Sequence, residues 1–138
     1  MASVGRKRER GGEPLAVILG NPKHVRARVI ARKLAAVCRK AGWRVWMERE
    51  IADRLPTGGI EQALDRCRLV VVLGGDGTFI RAVRLLGPRE VPLFGVNLGR
   101  LGYLTEFTAA EAGRELERVL RGDFSTQRRR RLRVRLRR

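Results

Sequence analysis

The sequence predicts an α/β domain built on a doubly wound, mostly parallel sheet. Three observations predict it: short apolar runs recur along the chain, helical periodicities separate them, and glycine-rich turns follow two of the runs. Strands buried on both faces read as nearly unbroken apolar runs, the pattern of a parallel sheet covered by helices on each side.

The elements follow in order. "PLAVILG" is a buried strand punctuated by Gly20, Asn21 and Pro22. Ile30, Leu34, Val37 and Ala41 recur at helical spacing and mark an amphipathic helix that Gly42 ends. "WRVWM" at 43–47 is dense in aromatic and β-branched residues and gives a second strand, with its two tryptophans as packing groups rather than a stacking platform for bases. After the turn residues "PTGG" come a short helix, "IEQALDRC", and a strand from Leu69 to Leu73. Phe79 to Leu86 reads as helix, Gly87 and Pro88 break it, and "VPLFGV" is a fourth strand. Thr108 and Glu111 stand at capping-box spacing before a helix that carries Ala112, Leu116, Val119 and Leu120 on one face and stops at Gly122.

Three regions result. Residues 1–13, rich in charge and glycine, form a flexible basic arm; residues 14–124 form the α/β domain; residues 125–138 are a linker and one strand. The strand is read from "RLRVRLR", in which Leu132, Val134 and Leu136 alternate with four arginines. A lone strand is not stable, so it reads as the first strand of a β-rich unit whose other strands lie outside this chain.

Thirty-one basic and fourteen acidic residues give a net charge of +17, which raises the question of a nucleic-acid partner. Eight arginines and no acid lie in residues 128–138, whereas residues 15–127 hold 19 basic and 12 acidic residues. Arginine outnumbers lysine 27 to 4, a bias that coding composition alone can produce, so the charge argues only weakly for nucleic acid. Cys38 and Cys67 lack CxxC spacing and His24 is the single histidine, an exposed loop residue by position; neither a zinc site nor a disulfide framework is expected. No apolar run approaches the roughly twenty residues of a membrane helix, and no secretory signal is legible. A soluble cytoplasmic protein without a membrane partner is the expectation.

The chemistry concentrates in "LVVVLGGDGTF". A glycine turn at the carboxyl end of a strand suits phosphate, because backbone N–H groups and a helix N-terminus converge there. The Walker lysine is missing, and "GNPKH" after the first strand has no GxGxxG. Asp76 cannot be a direct phosphate ligand, since a carboxylate about 4 Å from a phosphate oxygen is repelled by several kcal/mol at an effective dielectric near 20. It suits either a sugar hydroxyl, accepting its hydrogen bond or proton, or Mg²⁺ bridging phosphates. Both roles belong to phosphoryl transfer onto a hydroxyl. The alternative is a plain tight turn with Asp76 capping the next helix. A second glycine-rich segment, "FGVNLGRLGYLTEF", also follows a strand and places Gly95, Gly99 and Gly102 around Asn97 and Tyr103.

Together, GGDGTFIRA and GVNLGRLGYLTEF resemble the NAD kinase family, from about Leu15 through Arg121 and into the arginine-rich strand. GGDGT is shared with diacylglycerol and sphingosine kinases and resembles a phosphofructokinase motif; the N-x-G-x-x-G-[FY]-L segment separates NAD kinases from them. The resemblance implies transfer of a phosphoryl group from ATP, or polyphosphate, to the ribose 2′-hydroxyl of NAD, with Mg²⁺ or another divalent metal as cofactor. It implies Asp76 as proton acceptor, Asp76, Gly77, Arg81 and Tyr103 as NAD-binding residues, and Gly74, Gly75 and Thr78 in the turn that phosphates approach. Family members continue into a second, β-rich domain that completes the NAD site, and a homo-oligomer is implied for the full-length enzyme. The competing readings are a lipid or sugar kinase of the wider GGDGT group and a non-enzymatic basic fragment that binds nucleic acid through residues 128–138.

Overall fold

A computed structural model describes residues 12–52, 56–100 and 102–137. Five strands form one sheet: β1 (Leu15–Gly20), β2 (Arg44–Met47), β3 (Leu69–Gly74), β4 (Leu93–Asn97) and β5 (Phe107–Thr108). Every pairing is parallel and the order is β2-β1-β3-β4-β5. Four helices cover it: α1 (Ala27–Lys40), α2 (Ile60–Arg66), α3 (Asp76–Leu86) and α4 (Ala109–Leu120).

β1 and β3 are buried along their whole length, as strands flanked on both edges and both faces must be. Their side chains divide by alternation. Ala16, Ile18, Val71 and Leu73 join the core beneath α1 and α4, while Val17, Leu19, Val70 and Val72 join the core beneath α2 and α3. Trp43 packs against the first core and Trp46 against the second, its indole N–H donating to the Gly58 carbonyl at 3.3 Å. The tryptophans are packing groups, as expected.

Three elements depart from the expectation. The buried stripe of α1 is Ala27, Ala31, Leu34, Ala35 and Cys38, with Ile30 and Val37 at its margins and Ala41 exposed as the C-cap. The alanines of this stripe are fully buried in the core shared with the sheet and α4, so the face is turned from the one the larger residues suggest. α3 begins at Asp76, three residues earlier than Phe79, because Gly75 already serves as its N-cap. Residues 123–137 take up neither helix nor strand, and Leu132, Val134 and Leu136 stand exposed. The alternation is present in the sequence, but a strand forms only against a hydrogen-bonded neighbour, and none meets it among the described residues. Most of the expected basic arm, residues 1–11, lies outside the described residues.

The helix ends follow local chemistry. Thr108 accepts from the Glu111 N–H while Glu111 accepts from the Thr108 N–H, the reciprocal pair that the spacing predicts. Gly42 and Gly122, just past α1 and α4, have φ of +83° and +85°, where a Cβ would be strained.

Candidate functional site

The order 2-1-3-4-5 reverses direction between β1 and β3, and ligands of open parallel sheets bind beyond the carboxyl ends of the strands at such a point. The turns after β1, β3 and β4 meet there. The Leu73 carbonyl accepts from the Asn21 N–H and the Gly74 carbonyl from the Leu98 N–H, both at 2.9 Å, so β3 anchors the turns on either side. Arg26 adds a bond from its guanidinium to the Leu98 carbonyl at 3.2 Å.

Asp76 sits in the first turn of α3, yet its side chain does not cap that helix. The carboxylate reaches across to the second glycine-rich segment: Oδ2 accepts from the Tyr103 N–H and Oδ1 from the Leu104 N–H, each at 2.9 Å. The capping alternative is thereby corrected; each Asp76 oxygen serves the neighbouring turn. The N–H of Tyr103, then that of Leu104, hold the carboxyl below its ordinary value, against the opposing effect of burial and with a smaller contribution from the Thr105 N–H. The group is therefore an ionised acceptor held by neutral donors, with no charged side chain among the causes.

The glycines divide by role. A Cβ on Gly74 would fall inside the Thr78 side chain, so that glycine and Thr78 are locked together in the turn. A Cβ on Gly75 or Gly77 would meet nothing within 4 Å among the described residues, which leaves that backbone open to an approaching group. Gly75 has extended backbone and Gly77 no positive φ, so conformation alone demands glycine at neither. Gly102 is different: a Cβ there would stand 2.5 Å from Asp76 Oδ1 and 3.1 Å from Thr105 Oγ1. Asn97 folds the same turn, donating to the Arg100 carbonyl and accepting from the Gly99 N–H at 2.9 Å. Tyr103 presents its ring to solvent, 93% exposed beside the carboxylate its own N–H holds.

Arg81 faces the other flank of the site. Its guanidinium grips Glu48 through both oxygens, at 2.6 and 2.9 Å, and donates to the Gly20 carbonyl at 3.2 Å. Glu48 is buried after β2 and also accepts from the Gly20 N–H at 3.3 Å. The ring of contacts ties the ends of β1 and β2 to α3 and raises the pKa of Arg81, chiefly through the Glu48 bond. Asp76, Gly77, Tyr103 and the turn residues thus gather on one side, while Arg81 is engaged by a partner on the other. Sequence reasoning passed over Glu48 and Thr105. A carboxylate directly after a strand was the available signal for Glu48; nothing in the sequence marks Thr105.

His24 is half-buried in the turn after β1, its Nδ1 accepting from the Arg26 N–H at 3.3 Å. Among the described residues no group of three or more His, Cys, Asp or Glu side chains could hold a metal ion, and no helix is long and apolar enough to cross a membrane. Burial pushes the Cys38 thiol up to about 12 and the Cys67 thiol up to about 11, which leaves both as inert packing groups.

Comparison with known proteins bears on the same residues. The family model described as the ATP-NAD kinase N-terminal domain matches residues 16–124. An NAD kinase of Solibacter usitatus is 43% identical over 113 residues, which cover 78% of this chain and 39% of the relative. One of Geotalea daltonii is 55% identical over 74 residues, covering 54% of this chain and 26% of its own. The chain thus spans about two fifths or less of the curated relatives it matches. Among solved structures, a yeast NADH kinase complexed with NADH superposes with a TM-score of 0.69 over 83% of this chain and 40% of its own, at 21% identity, a likeness of fold. With two glycine turns converging on one aspartate, and a family match running almost the whole length of the sheet that carries them, the chain belongs to the NAD kinase family.

Proposed function

We propose that the chain supplies the catalytic aspartate and part of the substrate site of an NAD kinase. One observation carries the reading most directly: Asp76 is an ionised carboxylate held by the backbone of the neighbouring turn, beside the open backbone of Gly75 and Gly77.

In the proposed reaction the ribose 2′-hydroxyl of NAD attacks the terminal phosphorus of ATP or polyphosphate. A new oxygen–phosphorus bond forms, the bond from that phosphorus to the departing phosphate breaks, and the hydroxyl proton passes to Asp76. Such a positioned base is worth about 10²- to 10⁴-fold. Its partners in the clamp are neutral N–H groups, so the carboxylate keeps its charge for the hydroxyl. Gly75 and Gly77 admit phosphate close to backbone at the start of α3, where the helix dipole favours an anion. The exposed ring of Tyr103 offers a flat apolar face to the nucleoside.

Arg81 is the NAD-binding residue the resemblance implies, and it would serve through the guanidinium edge left free by Glu48; 43% of its side chain is exposed. Mg²⁺ fits as an ion carried by the donor phosphates and water, the usual mode for this metal, since no protein cage forms among the described residues. Bound there it would neutralise charge on the phosphates. A cytoplasmic enzyme, assembled as a homo-oligomer at full length, completes the reading.

The test is a chimera in which this chain replaces the corresponding N-terminal segment of the Solibacter usitatus NAD kinase. It should convert NAD to a 2′-phosphorylated product with ATP or polyphosphate. A chimera that phosphorylates diacylglycerol and ignores NAD overturns the reading in favour of the wider GGDGT group.

A further inference from the structure

A groove of about 360 Å³ opens between the edge strand β2, the end of α1 and α2. Arg39, Arg44 and Arg66 line it, and no acidic side chain does among the described residues. The chain sorts its charges to that end. Glu61 and Asp65, one turn apart on α2, both bond the Arg89 guanidinium at 2.7 Å, outside the groove. Gln62 and Arg66, one turn apart on the adjoining face, turn to the groove. On β2, Val45 and Met47 pack in the core beneath α1, so by alternation Arg44 and Trp46 face the α2 side. None of the three arginines has an ion pair or a side-chain hydrogen bond among the described residues. Arg39 and Arg66 stand in the last turns of α1 and α2, where a cation complements the helix dipole. Arg44 opens a strand, and no dipole accounts for it.

A cleft lined by one sign of charge concentrates its field, and a bound anion relieves the repulsion among its walls. Arginine forks meet phosphate with two bonds at a time, and the Trp46 ring adds an apolar wall. The volume is that of a small-molecule site. An added peptide strand fits poorly, because β2 offers an edge of only four residues. We propose that the groove binds a small molecule carrying two or more phosphate groups, a nucleotide or an inorganic polyphosphate, at a site separate from Asp76. Arg44 pairs with Leu15 at the amino end of the sheet, and α1 and α2 return to that end before they stop at Lys40 and Arg66. Asp76 follows the carboxyl end of β3, a six-residue strand and hence roughly 20 Å away along it. The inference therefore stands apart from the reading of Asp76 as the base.

The test is an NMR titration of the 138-residue chain with magnesium-free sodium tripolyphosphate. At about 0.15 M salt, exposed charges more than about 8 Å apart are largely screened. The Trp46 indole N–H, held on the Gly58 carbonyl beside the groove, should shift in a saturable way; Trp46→Phe tells its resonance from that of Trp43. Arg44→Gln with Arg66→Gln should raise the midpoint concentration about tenfold, the loss expected for hydrogen bonds to a charged group. Arg128→Gln with Arg129→Gln and Arg130→Gln removes more charge from the tail and should leave the midpoint unchanged. Asp76→Asn should leave it unchanged too. Pyrophosphate and ADP, equal in phosphate number, distinguish the sources. Tighter binding of ADP identifies a nucleotide with its base against Trp46, equal or weaker binding an inorganic polyphosphate, and both uphold the site. A shift that rises linearly without saturating, or equal losses from the groove and tail variants, overturns the proposal as general charge attraction. Loss of binding in Asp76→Asn overturns it by placing the anion at the glycine turn. Single-stranded DNA that moves the same resonance at lower concentration also overturns it, in favour of a nucleic-acid surface. If the double variant does not fold, Arg39→Gln on the exposed side of α1 gives the same comparison with the tail.

Discussion

Asp76 and Glu48 both stand at the carboxyl edge of the sheet, one after β3 and the other after β2, and they are held in opposite ways. Two backbone N–H groups hold Asp76, which stays partly exposed and meets no cation in its clamp. Glu48 is buried, gripped by both nitrogens of the Arg81 fork and bonded to Gly20. Neutral donors keep a carboxylate charged while leaving its charge uncancelled; a guanidinium fork cancels it and fixes three elements together. One carboxylate keeps an uncancelled charge, as the proposed role toward a ligand requires, and the other holds the frame.

The largest effects should come from breaking the Asp76 side. Asp76→Asn should lower turnover of the chimera by about 10²- to 10⁴-fold, the worth of a general base. An amide side chain can face only one of the two N–H groups with an acceptor. Hydrogen exchange at Tyr103 or Leu104 should therefore quicken, a local change visible even where the fold survives. The pH dependence has a defined sign. A carboxyl held below its unfolded value contributes stability above that value and loses it as the pH falls through the folded one. The unfolding midpoint of the parent chain should thus drop more steeply on acidification below about pH 4 than that of Asp76→Asn. Equal slopes would mean that the clamp is not formed in solution. Gly102→Ala should follow closely in turnover, since the new methyl would press on Oδ1 of the same carboxylate.

The Glu48 side should respond in stability first. Arg81→Ala leaves a buried carboxylate with only the Gly20 N–H among the described residues and should cost about 1–3 kcal/mol in urea unfolding, toward the lower end because the arginine is partly exposed. Glu48→Gln, which keeps an acceptor for Gly20, should cost less. Kinetics of the two variants sharpen the contrast. If Arg81 also meets the ligand, Arg81→Ala raises KM for NAD while Glu48→Gln does not; matched kinetics would confine Arg81 to the frame.

This division explains what the sequence could and could not reveal. The parallel sheet was legible because Leu15–Gly20 and Leu69–Gly74 are apolar throughout, and burial on two faces permits little else. The α4 start was legible because Thr108 and Glu111 satisfy each other within one turn of chain. Asp76 stood out through its glycines. Its donors did not, because Tyr103 and Leu104 contribute backbone N–H groups that any residue but proline carries, 27 and 28 positions away. Arg81 and Glu48 are 33 residues apart, and each alone resembles a solvated charge. The face of α1 differs from the expected one because alanine is small: Ala27, Ala31 and Ala35 weigh little in periodicity yet are fully buried. The residues 131–137 show the converse, a clear strand pattern whose fulfilment depends on a neighbour.

The smallest effect tests whether the Asp76 clamp stands by itself. Thr108 lies four residues beyond Leu104, at the end of the same connection, where it caps α4. Thr108→Ala removes one half of the capping box and should destabilise the domain by about 1 kcal/mol. If two hydrogen bonds to Asp76 and the packing of Gly95 against Thr105 and Phe79 are enough to hold the turn, exchange at Tyr103 and Leu104 should change only as much as global stability does. A larger, local increase at those two amides would mean that the clamp borrows its order from α4. The distance between acting and framing carboxylates would then be shorter than their separate partners suggest, because the Asp76 turn would itself hang on a helix cap.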